Sequence, residues 1–129
     1  MVMVDTSVWI DYVNGTTNTQ VEKLHSLLNS DRILIGDLII TELLQGFSTP
    51  RELKVIQNII SLLEYHDMVG RDIAEKSALN YNYLRKNGIT VRKTIDVIIG
   101  TFCIENKIPL LHNNKDFVPM EKHLHLLSI

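Results

Sequence analysis

The sequence predicts an α/β domain built on a central, mainly parallel sheet of four to five strands with helices on both faces. Three observations carry that expectation. Short apolar or β-branched runs alternate with longer segments of helical periodicity from one end of the 129-residue chain to the other. The stretches between most strand candidates are long enough for a crossover helix, which parallel pairing requires. Apolar residues make up 45% and charged residues 22%, with no repeat or low-complexity linker, so residues 1–129 read as one domain with a core of its own.

The elements follow in order. Val2–Asp5 is a β-branched run of the kind found in a buried strand. Ser7 can cap a helix through Val8–Val13, which Asn14-Gly15 ends. Asn18 or Thr19 opens a second helix, with Val21, Leu24, Leu27 and Leu28 at helical spacing. Ile33–Ile35 is strand-like, and Asp37 caps a helix to Gln45 that Gly46 closes. Pro50 suits the first turn of a helix through Leu63. Glu64–His66 is a short strand, and Arg71–Lys86 a polar-rich helix stopped by Asn87-Gly88. Lys93–Asn106 is a helix with Ile95, Ile98, Ile99, Phe102 and Cys103 inward. Pro109–His112 is a strand, Asn113–Asp116 a turn, and Leu124–Leu127 a last short strand.

Charge and cysteine usage exclude several classes. One cysteine forms no disulfide within the chain and no cysteine-based zinc site, which fits a reducing, cytoplasmic setting. The start lacks a basic targeting region, and the longest apolar runs, Ile33–Ile40 and Val97–Ile104, are too short to span a bilayer, so no membrane association is expected. The net charge of −2 argues against a protein that coats nucleic acid without specificity. The charge is uneven: residues 1–50 carry two basic and six acidic side chains, residues 51–129 eleven and nine.

In a parallel α/β sheet, ligands bind outside the carboxyl ends of the strands. Asp5 ends the first strand, and Asp116 lies just past Pro109–His112 at the same expected edge. Glu42 and Asp96 sit near the starts of helices that can face that edge. Two carboxylates about 5 Å apart repel by roughly 3 kcal/mol at an effective dielectric near 20, so a cluster of four needs protons or a cation. Oxygen donors without thiolate favour Mg²⁺ or Mn²⁺ and suit phosphodiester hydrolysis. Helix capping and surface solvation account for most other acids, and spacing alone does not decide between these readings for the four.

Four segments resemble the motifs of PIN-domain ribonucleases, and most closely those of VapC-type toxins of toxin–antitoxin pairs. They are Met-Val-Asp-Thr-Ser-Val-Trp-Ile-Asp, Ile-Ile-Thr-Glu-Leu-Leu-Gln-Gly, Thr-Ile-Asp-Val-Ile-Ile-Gly and Leu-Leu-His-Asn-Asn-Lys-Asp-Phe, in that order over essentially the whole chain. The resemblance implies a PIN-like α/β/α sandwich, RNA cleavage dependent on Mg²⁺ (Mn²⁺ can substitute), and neutralisation by a VapB-like antitoxin. It also implies 5′-phosphate and 3′-hydroxyl product ends, and it is compatible with a homodimer. Carried over by position, Asp5, Glu42, Asp96 and Asp116 are the catalytic, metal-binding acids. Thr6 and Ser7 lie beside the first acid, where a hydroxyl can orient a carboxylate. Asn114 stands where related toxins often carry an acid. It keeps a carbonyl ligand but lacks the charge, so one well-held metal is expected, with a second that is weak or substrate-dependent.

Other features join this reading. Arg85, Lys86, Arg92 and Lys93 are four cations in a nine-residue window, and Arg92 and Lys93, just before Asp96, are the RNA-binding candidates. Gly100, one turn after Asp96, implies close packing, expected from the first strand. Trp9 reads as core, or as part of an antitoxin groove with Val13, Leu24 and Leu28. His112 can approach the site, while His123 and His125 would share a strand face. Two rival readings stand beside this one. A haloacid-dehalogenase-like phosphatase would need an aspartate where Ser7 stands. A non-catalytic PIN scaffold that binds RNA or protein is the alternative function, and retention of the four acids argues against it.

Overall fold

A computed structural model describes residues 1–129. The elements are β1 (Val2–Val4), α1 (Thr6–Val13), α2 (Thr19–Leu27), β2 (Ile33–Gly36), α3 (Asp37–Gly46) and α4 (Pro50–Ser61). They continue as β3 (Glu64–His66), α5 (Gly70–Lys86), α6 (Thr94–Asn106), β4 (Leu110–Leu111), a 3₁₀ turn (Lys115–Phe117) and α7 (Val118–Leu124). The four strands form one parallel sheet in the order β3-β2-β1-β4. From β1 the chain first winds towards β3, then returns past β1 to β4. Right-handed crossovers running in opposite directions put their helices on opposite faces. Accordingly α1 packs on α2 and α3, and α3 on α4, while α5 packs on α6 and α7. The seam between β1 and β4 is therefore a topological switch point, where a parallel sheet opens a crevice at its carboxyl edge.

Every residue of β1, β2 and β4 is buried, as expected of strands covered on both faces. They belong to a continuous cluster of 26 buried apolar residues, with Trp9 and Leu24 wholly inside it. That burial removes both from the surface proposed for an antitoxin groove; Val13 and Leu28 remain half-buried.

The structure corrects several local expectations. Asp5, not Ser7, caps α1, because the strand ends one residue earlier and the Asp5 carboxylate reaches the Ser7 N–H. Asp37 is the first residue of α3 rather than its cap, and its Oδ1 accepts from the Leu38 and Met68 N–H groups. Leu124–Leu127 is not a strand. Pro119 sits in the first turn of α7, which runs from Val118 to Leu124 and ends on His125 in the left-handed region (φ 63°). A single parallel bridge, Leu110 to Ser128, is all the sheet gains there. His123 and His125 thus share no strand face. Gly100 does pack closely, but against Met120 of α7: a Cβ at this position would lie 2.3 Å from the Met120 sulfur.

Candidate active site

Four segments wall a small cleft at the carboxyl edge of the sheet. Asp5 comes from the end of β1, Glu42 from the middle of α3, Asp96 from the first turn of α6, and Asn114 from the loop after β4. Thr6, Ser7 and Lys93 complete the polar lining of this space of about 210 Å³. Asp5 and Asp96 are each only 2% exposed. Burying carboxylates this deeply without partners would cost several kcal/mol each, so their contacts decide what the site can do.

The two buried acids are each held by one oxygen. Asp5 Oδ2 accepts from the Ser7 N–H at 3.0 Å and from the Ser7 hydroxyl at 2.7 Å. Its other oxygen, Oδ1, is buried with no hydrogen-bond partner. Asp96 Oδ2 accepts from the Asn114 side-chain amide at 3.1 Å. Glu42 is half-buried and accepts the Thr6 hydroxyl at 2.8 Å. Burial raises the pKa of Asp5 against the lowering pull of Ser7. Burial, and then the Asp5 charge, push Asp96 up to about 6. Glu42 is also raised by burial, with Asp5 adding to it against the Thr6 hydrogen bond. Three acids resisting ionisation together mark a place that lacks positive charge.

This donor set fits a hard divalent cation. The ligands on offer are carboxylate oxygens, the buried Asp5 Oδ1 has no other partner, and the mutual repulsion of Asp5, Glu42 and Asp96 is what a cation would relieve. No group of three or more acid, histidine or cysteine side chains is gathered tightly enough to enclose an ion alone.

Other candidates lie nearby in different roles. Asp116 does not line this cleft; it lines an adjoining groove of about 480 Å³ with Ser7, Arg92, Lys93, Asn113, Asn114 and Lys115. The reason is local: Asn114 Oδ1 accepts the Asp116 N–H at 3.0 Å, which starts the 3₁₀ turn and carries Asp116 onward. The same bond orients Asn114 to support an acid. Its carbonyl is taken by the turn, so its NH₂ faces Asp96 as a donor, not a ligand. Lys93 borders both spaces, and Arg92 the groove. Arg85 instead stacks over Tyr81 at the end of α5. Lys115, unremarked in the sequence, adds a third cation to the groove; only its place before Asp116 could have signalled it. Cys103 is buried core with its thiol pushed far up, and is inert.

Residues 2–122 match the PIN domain family, almost the whole chain. This chain is a PIN domain. Among curated relatives, a VapC ribonuclease of Mycobacterium bovis is 27% identical over 122 residues, covering 91% of this chain and 89% of the relative. Ribonuclease VapC11 of Mycobacterium tuberculosis gives the same figures. Among solved structures, FitAcB of Neisseria gonorrhoeae superposes with a TM-score of 0.79 at 17% identity, covering 100% of this PIN domain and 96% of that chain. VapBC2 of Rickettsia felis, solved bound to a DNA fragment from its promoter, gives 0.78 at 19% identity, covering 100% and 98%. These likenesses establish the fold of this PIN domain over its full length. No helix in it is long and apolar enough to cross a membrane.

Proposed function

We propose that this PIN domain is an Mg²⁺-dependent endoribonuclease, the toxin of a toxin–antitoxin pair, which hydrolyses RNA phosphodiester bonds until a VapB-like antitoxin covers it. One observation carries the reading: Asp5 and Asp96, buried side by side with Glu42 at the switch point, present an acid cluster whose Asp5 Oδ1 has no protein partner. The curated relatives named as VapC ribonucleases support the substrate, and the solved VapBC complexes support the partner.

In this reading Asp5 and Asp96 hold the cation, and Glu42 positions the attacking water. When bound, the cation supplies charge neutralisation and polarises the phosphodiester. The protein's own contribution is orientation. Ser7 fixes one Asp5 oxygen and turns the other inward. Asn114 fixes one Asp96 oxygen, and Thr6 fixes Glu42. Each acid is thus set before substrate arrives, so little reorganisation is left for the reaction. Arg92 and Lys93 hold the RNA backbone in the adjoining groove, where Asp116 serves as an outer acid that engages only with RNA in place.

Cleavage of a fluorogenic RNA in Mg²⁺, in Mn²⁺ and in EDTA tests the proposal. Cleavage is expected with either cation and none in EDTA. Asp5→Asn and Asp96→Asn are expected to slow it at least about a hundredfold, the usual scale for losing a charge aimed at the reacting group. Asparagine caps a helix as well as aspartate does, so Asp5→Asn should fold. Wild-type rates in either variant would overturn the assignment. RNA bound but left intact by the wild type would favour the non-catalytic scaffold.

A further inference from the structure

We propose that His112 is a positioning residue of the cleavage site, setting from behind β4 the loop on which both buried acids are held. The inference rests on the nuclease reading above and adds a residue outside the cleft.

His112 is 8% exposed, immediately after β4. Its Nε2 lies 2.8 Å from Glu121 Oε1 of α7, and its Nδ1 lies 3.2 Å from the Asn114 backbone nitrogen. A backbone N–H can only donate, so Nδ1 presents its lone pair and the ring proton sits on Nε2, donating to Glu121. Glu121 is suited to accept it. Burial alone would raise its pKa, but hydrogen bonds from Ser128 and His112 outweigh that and hold it below the usual carboxylate range. The ring also packs on Phe117, with centroids 5.0 Å apart. The next turn and α7 together therefore specify one tautomer.

The two residues after His112 carry the consequence. The Asn113 N–H donates to the Ser7 hydroxyl oxygen at 3.0 Å, and that hydroxyl donates to Asp5. The Asn114 amide donates to Asp96. A turn of the loop by about 1 Å would release both acids, the scale at which misplacement costs about a hundredfold in rate. The Nδ1 to N–H contact spans two residues, the geometry of an Asx turn. Asparagine carries its acceptor at the same branch point, whereas glutamine places its own one bond too far.

The test compares His112→Asn and His112→Gln for RNA cleavage and melting temperature, with nitrogen-15 spectroscopy of the wild-type imidazole. His112→Asn keeps an acceptor at the place of Nδ1 and His112→Gln keeps a donor at the place of Nε2 for Glu121, so each variant retains one of the two contacts and melting temperature should not favour His112→Asn. His112→Asn should keep kcat within about threefold, while His112→Gln loses about tenfold or more with KM nearly unchanged, about the weight of one hydrogen bond. The wild-type ring should show its proton on Nε2, and Glu121→Ala should shift it towards Nδ1. Equal loss in the two variants, no loss in either, or a wild-type proton on Nδ1 would overturn the proposal. A wild type that cuts no RNA would sink the nuclease reading instead, while the imidazole spectrum still judges the clamp.

Discussion

Asp96 is placed where ionisation is unfavourable, and that has measurable effects on the protein without cation. Burial and the neighbouring Asp5 raise it to about 6, above the ordinary aspartate value. A raised carboxyl contributes stability that is fully present below about pH 4 and lost as pH rises through about 6. Asp96→Asn is thus expected to stabilise the protein in EDTA at pH 7.5 by about 1–2 kcal/mol, a rise of several degrees in Tm. Added Mg²⁺ should raise the Tm of the wild type, less so at pH 5.5, and leave the variant unmoved. Thermal scans at both pH values check this, and a variant less stable than wild type in EDTA at pH 7.5 would refute it. At this scale the sequence was informative about acids at element ends, because the strand-to-helix junction at Asp5 and the first turn of α6 at Asp96 leave few directions for either side chain. It placed Asn114 and His112 near the site without saying which of their atoms face it. Which atom of an amide or imidazole faces the site is settled jointly by turn contacts two residues away and by partners 18 and 9 positions away.

Elements sit where apolar periodicity put them, with one exception that shows the limit of local patterns. The runs at Val2–Val4, Ile33–Gly36 and Leu110–Leu111 are buried on both faces and have no helical alternative of sufficient length. Thr49 and Glu52 form the reciprocal cap that starts α4 at Pro50. The C-terminal segment reads as a strand because Leu124, Leu126 and Leu127 suit a strand edge, yet the helix α7 runs to Leu124. Tertiary packing decided it: Met120 needs the groove that Gly100 leaves on α6. Gly100→Ala gains about 1 kcal/mol of helix propensity but overpacks a wholly buried methionine, which typically costs 1–3 kcal/mol. A net loss of stability is expected. In urea titrations, the Gly100→Ala/Met120→Ala double variant should be more stable than the two single changes predict by addition. Strict additivity would show that the helices do not meet through this pair.

Across the whole molecule, the acidity first seen in the composition is concentrated at one edge. With Asp5, Glu42, Asp96 and Asp116 set aside, the rest of the chain carries a net charge of +2. Arg92, Lys93 and Lys115 line the groove beside the cleft. Replacing any of the three by alanine should weaken RNA binding by the cleavage-dead Asp5→Asn protein and flatten its salt dependence by about 0.7 per lost phosphate contact. Titrations of labelled RNA at several salt concentrations read this directly, and an unchanged slope would exclude that side chain from the backbone path. The sheet order has a consequence for synthesis as well. The cleft lies on the seam where Met3 pairs with Leu110 and Val4 with Leu111. Such pairing closes a loop of more than a hundred residues, so during synthesis β1 waits for most of the PIN domain before the strand that completes the seam emerges. Until then Asn113 and Asn114 cannot hold Ser7 and Asp96, so a nascent chain has no assembled active site. On the proposed nuclease reading, RNA cleavage would stay silent until the seam between β1 and β4 has closed.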